Sequence, residues 1–168
     1  MRQIAMLMVA AAMTAGAGDS TTVVADHDDA PILEQLPEGY RDWRLISVAH
    51  EEGNLNDIRA VLGNDLAIAA YRSGRLPFPD GAIIARIAWI YVPSAENDQA
   101  FGRPQSFVAG APTNVQFMVR NARRYASTDG WGFAQFDDGK PTRITVAACA
   151  SCHAPAAAHD FVFTRYAP

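Results

Sequence analysis

Lysine is almost absent from this chain of 168 residues: the 14 basic residues are arginine except for Lys140. That lysine stands in the polar turn Asp137-Asp138-Gly139-Lys140-Pro141, so no predicted strand or helix carries a primary amine. Arginine stays protonated at any working pH and is a poor nucleophile. Cysteine is nearly as scarce. The two cysteines, Cys149 and Cys152, lie three positions apart, and a zinc site of two such pairs lacks its second pair. No basic run of the nucleic-acid-binding kind appears, and the net charge is −4 with a pI near 5.5. There is no internal repeat and no low-complexity segment. What is present is 49% hydrophobic content, enough for a real core in a one-domain length.

Both cysteines fall in Cys149-Ala150-Ser151-Cys152-His153, which reads C-x-x-C-H, the attachment signature of a c-type haem. Two thiols at this spacing fit one helical turn and can form thioethers to the two vinyl groups of one porphyrin. The histidine that follows is placed under the ring, where a neutral imidazole can ligate iron. A redox C-x-x-C, half of a zinc site and a structural disulfide are the other readings. A redox pair normally opens a helix after a strand in a βαβ unit. No such unit is in view, and the motif lies near the C-terminal end.

The N-terminus reads as a targeting segment. Met1-Arg2-Gln3 is a short positive region, Ile4 to Ala15 is apolar, and Ala15-Gly16-Ala17 resembles a cleavage site. The apolar run is short for a membrane span. A signal peptide over residues 1–17 is expected, with no stable membrane span after cleavage; an uncleaved anchor and an N-terminal core helix are the alternatives. Residues 18–35 are expected to form a flexible arm and residues 36–168 a single haem domain. Export to the periplasm agrees with the haem motif, because c-type haem is attached outside the cytoplasm.

The body reads as strands with a few helices. Leu36 to Tyr40 is a turn, and Trp43 to Ala49 a strand with Trp43, Leu45 and Ser47 on one face. His50 to Asn56 is a loop and Ile58 to Leu62 a second strand. Asp65 to Ser73 has helical composition, with Asp65 as cap, Leu66, Ala69 and Ala70 on one face, and Gly74 as stop. Pro77 to Gly81 is a turn. Ile83 to Val92 is the strongest strand, apolar on both faces apart from Arg86. Pro93 to Pro104 reads as a loop. Ser106 to Ala109, Val115 to Val119 and Trp131 to Phe136 read as further strands, with a short helix or turn at Asn121 to Ala126. Asp137 to Pro141 is hairpin-like, Ala147 to His153 helical, and Phe161 to Tyr166 extended. The fold class expected is mainly β, an antiparallel sheet with short helices and a C-terminal helix carrying the haem motif.

These blocks together resemble the cytochrome P460 family, which includes the β-sheet cytochromes c′. The resemblance spans roughly residues 36 to 168. It rests on Leu36-Pro37-x-x-Tyr40-Arg41-x-Trp43, Ile58-Arg59, Asp80-Gly81, Val119-Arg120-Asn121, Tyr125-Ala126 and Trp131-Gly132-Phe133. It ends with the C-x-x-C-H motif and Asp160-Phe161-Val162-Phe163-Thr164-Arg165-Tyr166. The resemblance implies a small periplasmic homodimer with one five-coordinate haem c, held through Cys149 and Cys152 and ligated by His153. One branch of the family oxidises hydroxylamine, and the other binds small gases such as nitric oxide.

In the hydroxylamine-oxidising branch a strand lysine is linked to the porphyrin edge. The matching position here is Arg86, so no such cross-link is expected. That branch also places a carboxylate over the haem, where this chain has Gln116, which cannot serve as a proton base. The family's pocket arginine corresponds to Arg59. With Ile144 as apolar cover and Phe78 through its turn, the distal candidates are Arg59, Arg86, Gln116, Ile144 and Phe78. Bland readings stand beside these: Arg86 paired with a carboxylate or a propionate, and Arg59 in a sheet-edge salt bridge. A sixth iron ligand would have to come from Met118, His50, His159 or, remotely, Lys140, and no spacing compels one. The favoured reading is an open iron that binds or detoxifies nitric oxide or related nitrogen oxides, with a periplasmic electron-transfer partner possible and no nucleic acid. The alternatives are a hydroxylamine-oxidising enzyme and a simple electron carrier.

Overall fold

A computed structural model describes residues 32–144 and 146–167. The expected signal peptide lies outside the described residues, as does most of the expected arm. Among the described residues six strands form one antiparallel sheet in simple sequence order: β1 (Arg44–Glu51), β2 (Asp57–Gly63), β3 (Ile83–Pro93), β4 (Phe107–Arg120), β5 (Trp131–Asp137) and β6 (Lys140–Thr142). Three helices interrupt or follow them: α1 (Asp65–Ser73), α2 (Ala95–Phe101) and α3 (Val146–His153). The mainly β class read from strand periodicity is the class observed.

Each sheet face carries its own apolar layer, because side chains alternate along a strand. One layer joins Ile46, Val61, Ile84, Met118, Trp131 and Phe133 to α1, to Cys149 and Ala150 of α3, and to Val162 of the C-terminal segment. The other gathers Leu62, Ala85, Ile87, Phe117 and Phe136 under Tyr40, Trp43, Ile32, Leu33 and Leu36. Packed chain therefore begins by Ile32, within the stretch 18–35. The centre of β3 is apolar on both sides because both its faces are covered.

Several local expectations are corrected. On β1 the inward residue is Ile46, fully buried, while Leu45 is 52% exposed. A bulge between Leu45 and Ser47 breaks the period of two on which the expected Trp43, Leu45 and Ser47 face depended. Trp43 packs edge-on to Phe117 in the opposite layer. The cap of α1 is Asn64, not Asp65: its Oδ1 accepts from the amides of Ala67 and Ile83, both at 3.0 Å, which ties the helix start to β3. The buried face of α1 is Ala67, Ile68 and Ala70, and Leu66 is exposed. Pro93 to Pro104 is not a plain loop but holds α2, capped by the Ser94 side chain and ended by Gly102 at φ 73°. Asp98 of that helix accepts from the amides of Gln105 and Ser106, which hold its carboxyl below the usual range. The two strands expected at 106–109 and 115–119 are one, β4, with irregular pairing to β3 in between.

The C-terminal segment is anchored by a buried ion pair. Arg120, at the end of β4, donates from Nε to the Phe78 carbonyl at 3.2 Å and from Nη1 to the Asp129 carbonyl, and lies 3.6 Å from Asp160 Oδ1. Asp160 Oδ2 in turn accepts from the Phe78 amide at 2.7 Å. Further along, the Ala167 amide donates to the Ile46 carbonyl at 2.9 Å, joining the segment to β1. Residues 160–167 are thus fixed to both β1 and β4, and they run beside α3.

Candidate haem site

Helix α3 places Cys149 and Cys152 one turn apart with free thiols, followed by His153 at its end. His153 Nδ1 lies 2.7 Å from the Phe161 carbonyl oxygen, which can only accept, so Nδ1 donates and Nε2 is the nitrogen left available to a metal. The ring sits between Phe133 and Phe163, with centroids at 5.1 and 5.2 Å. A histidine whose second nitrogen is fixed to a backbone carbonyl is the arrangement metal-ligating imidazoles use. The donor set fits haem c: two thiols on one turn and an imidazole held through Nδ1 with Nε2 available. Among the described residues no group of three or more His, Cys, Asp or Glu could hold a metal ion.

The two thiols are unequal. Cys149 is half-buried against the core and Cys152 is exposed. Burial, with a smaller push from Cys152, raises the Cys149 thiol pKa. Since the thiolate is the nucleophile, iodoacetamide is expected to label Cys152 of the haem-free protein well before Cys149 at neutral pH. The gap should narrow as pH rises and Cys149 ionises. Equal rates at pH 7, followed by peptide mass spectrometry, would contradict this environment.

Along the sheet face from Phe133, which packs on His153, the side chains turn from apolar to polar. Ile84, Met118 and Phe133 are opposed across β3, β4 and β5. One step along, about 7 Å for two strand residues, the opposed set is Arg86, Gln116, Gln135 and Thr142 across β3 to β6. These side chains are hydrogen-bonded in a row. Arg86 Nη1 donates to Asn114 Oδ1 at 2.8 Å and to Gln116 Oε1 at 3.2 Å. Gln116 Nε2 donates to Gln135 Oε1 at 2.8 Å. Gln135 and Thr142 both donate to the Asp137 carboxylate.

At the β2 end of the row a single carboxylate holds two guanidinium groups. Asp57, 2% exposed, accepts from Arg86 Nη2 and, at 2.8 Å, from Arg59 Nε. Arg59 Nη2 is 2.7 Å from the same Asp57 oxygen, while its Nη1 reaches only to Glu51 at 3.7 Å. Burial and the Arg59 charge pull the Arg86 pKa below the usual guanidinium value, against the opposing pull of Asp57.

The structure brings together Arg59, Arg86 and Gln116 of the expected set, and adds Asp57, Asn114 and Gln135. Asp57 and Asn114 lie two residues from Arg59 and Gln116 on the same strand faces, so alternation along β2 and β4 was the available signal, whereas Gln135 joins through its register opposite Gln116. Ile144 packs on the core just ahead of α3. Phe78 stands apart from the row, buried edge-on between Tyr71 and Trp131. Of the residues considered as sixth ligands, Met118 is buried in the core layer. His50 pairs with Ile58 on the opposite sheet face and stacks on Tyr91 at 3.9 Å. His159 and Lys140 are exposed.

An antiparallel sheet carrying a C-terminal C-x-x-C-H helix defines a β-type cytochrome rather than an all-helical one. The family model described as Cytochrome P460 matches residues 37–164, and the chain belongs to that family. Membership implies haem c as the cofactor, and so a cytochrome. No curated protein matches the chain. Among the described residues no helix is long and apolar enough to cross a membrane.

Proposed function

We propose that this chain is an exported, periplasmic mono-haem cytochrome that binds or detoxifies nitric oxide or a related nitrogen oxide at an open haem iron. The observation that carries the reading is the disposition of possible axial ligands. His153 offers Nε2 alone, its Nδ1 being committed to the Phe161 carbonyl. Met118, His50, His159 and Lys140 are placed in the core, on the far sheet face, or on the surface. Haem iron held by one imidazole supplies a free coordination position for a small ligand. Cys149 and Cys152 would hold the group through thioethers, and His153 would ligate its iron. Phe133 and Phe163 fix the imidazole plane, and Ile144 contributes apolar cover. Arg86 and Gln116 form the polar wall.

At position 86 an arginine engaged with Asp57 cannot act as a nucleophile toward a porphyrin carbon, so no third covalent link forms. Gln116 is likewise committed on both ends, to Arg86 and to Gln135. Both features favour ligand binding over hydroxylamine oxidation. A homodimer is part of this reading; the exposed Phe101, Phe107 and Val108 near the β3–α2–β4 connection are apolar surface it would cover.

The test is the visible spectrum of periplasmically expressed protein, ferric and dithionite-reduced, before and after nitric oxide. High-spin ferrous haem with an ordinary Soret position that binds nitric oxide is the expected result. A strongly red-shifted ferrous Soret band would mean a modified porphyrin and restore hydroxylamine oxidation as the leading reading. A low-spin spectrum indifferent to nitric oxide would leave electron transfer.

A further inference from the structure

Two arginines on the sheet face whose Phe133 packs on His153 would ordinarily make a strong anion site, since each guanidinium offers five N–H donors. Here a buried carboxylate stands between them and cancels one of the two positive charges. Asp57 accepts from Nη2 of Arg86 and from Nε of Arg59, while Arg59 Nη2, 2.7 Å from the same carboxylate, is buried without a hydrogen-bond partner. Asn114 and Gln116 take the Nη1 end of Arg86 with carbonyl oxygens. The three charged groups sum to +1 rather than +2, and the side chains of Arg59 and Arg86 are only 14% and 15% exposed. An anion arriving at this wall meets one net positive charge rather than two, and is repelled by the Asp57 carboxylate that both guanidinium groups share.

We infer that Asp57 is a specificity-determining residue: by occupying Arg59 and Arg86 it disarms the wall toward anions and leaves it suited to neutral diatomic ligands. Asp57 acts through the arginines, as a positioning residue. The inference rests on the open-iron reading above. It also gives Asn114 a role, as the second acceptor that keeps Arg86 turned into the sheet.

The experiment is a pair of titrations on the haem-loaded protein: azide into the ferric form by absorbance, and the infrared stretch of carbon monoxide on the ferrous form. Asp57→Asn keeps the shape, removes the negative charge and releases guanidinium donors. It is expected to bind azide about tenfold more tightly or better, with the carbon monoxide stretch moved to lower frequency, as one or two new charge-assisted hydrogen bonds would produce. Asp57→Glu restores the acceptor and should return both values toward those of the wild type. Asn114→Ala alters no charge and frees one Arg86 donor from a half-buried position. It should raise azide affinity about threefold, and it decides the matter alone if Asp57→Asn fails to fold. Azide affinity and carbon monoxide stretch that stay at wild-type values in Asn114→Ala and in any folded Asp57→Asn overturn the inference. A wild-type protein that binds neither probe overturns the open-iron reading itself, a distinct failure.

Discussion

A Cys149→Ser/Cys152→Ser variant, exported to a periplasm that attaches haem, is expected to carry no covalently bound haem. Haem staining of a denaturing gel should fall to background, while either single variant keeps a signal through its remaining thioether. The loss should reach beyond the cofactor. Helix α3 has eight residues and none of them is buried, and a helix that short is not stable on its own. Its hold on the sheet runs through partly buried Val146, Cys149 and Ala150 and through the His153 ring against Phe133. A covalently attached group bridging the helix and the sheet face stabilises the native state alone. The haem-free variant should therefore melt on the order of 10 °C lower than the wild type. Hydrogen exchange should show the extra opening concentrated in residues 146–166. Full haem staining in the double variant would remove the thioether assignment altogether.

Asp160→Ala is expected to be the most damaging single change outside the motif. It leaves Arg120, 7% exposed, without its acid and the Phe78 amide without its acceptor. Breaking a buried pair from one side costs about 3–5 kcal/mol, which for a domain of this size lowers the melting temperature by roughly 10 °C. Asp160→Asn should cost less, because its amide oxygen still accepts from Phe78 and asparagine tolerates the left-handed backbone, φ 53°, at this position. The anchor also bears on the site. Phe161 follows Asp160 directly, and its carbonyl holds His153. Asp160→Ala should therefore perturb the ferrous Soret band as well as the melting curve, whereas an unrelated core truncation of equal cost should not. A change in stability below 1 kcal/mol would mean that Arg120 finds its partners in the Phe78 and Asp129 carbonyls alone.

Much of the fold follows from local chemistry that is visible in sequence. Ile83 to Val92 is a strand because β-branched and aromatic residues fill it. Gly74 ends α1 because it adopts a positive φ. Pro77 to Gly81 turns, and Asp137 to Pro141 closes a hairpin. Two of the errors share one cause. At Asn64 against Asp65, and at Ile46 against Leu45, the outcome was settled by a partner distant in the chain: the Ile83 amide in one case, and the bulge opposite β2 in the other. Helix α2 was hidden because Ala95–Phe101 is a short, polar stretch with no buried residue and so no apolar period to read.

The same division holds for the site. The sequence by itself determined the cofactor chemistry, because two cysteines and a histidine at C-x-x-C-H spacing are brought together by one helical turn, whatever surrounds them. It also determined that position 86 holds a cation that cannot attack carbon. Only the tertiary structure decided what that cation faces. Asp57 and Asn114 lie 29 and 28 residues from Arg86 along the chain, and they meet it because three antiparallel strands align in one register. Pairing at that range depends on sheet register and a buried carboxylate's need for partners, neither of which any local stretch of residues encodes.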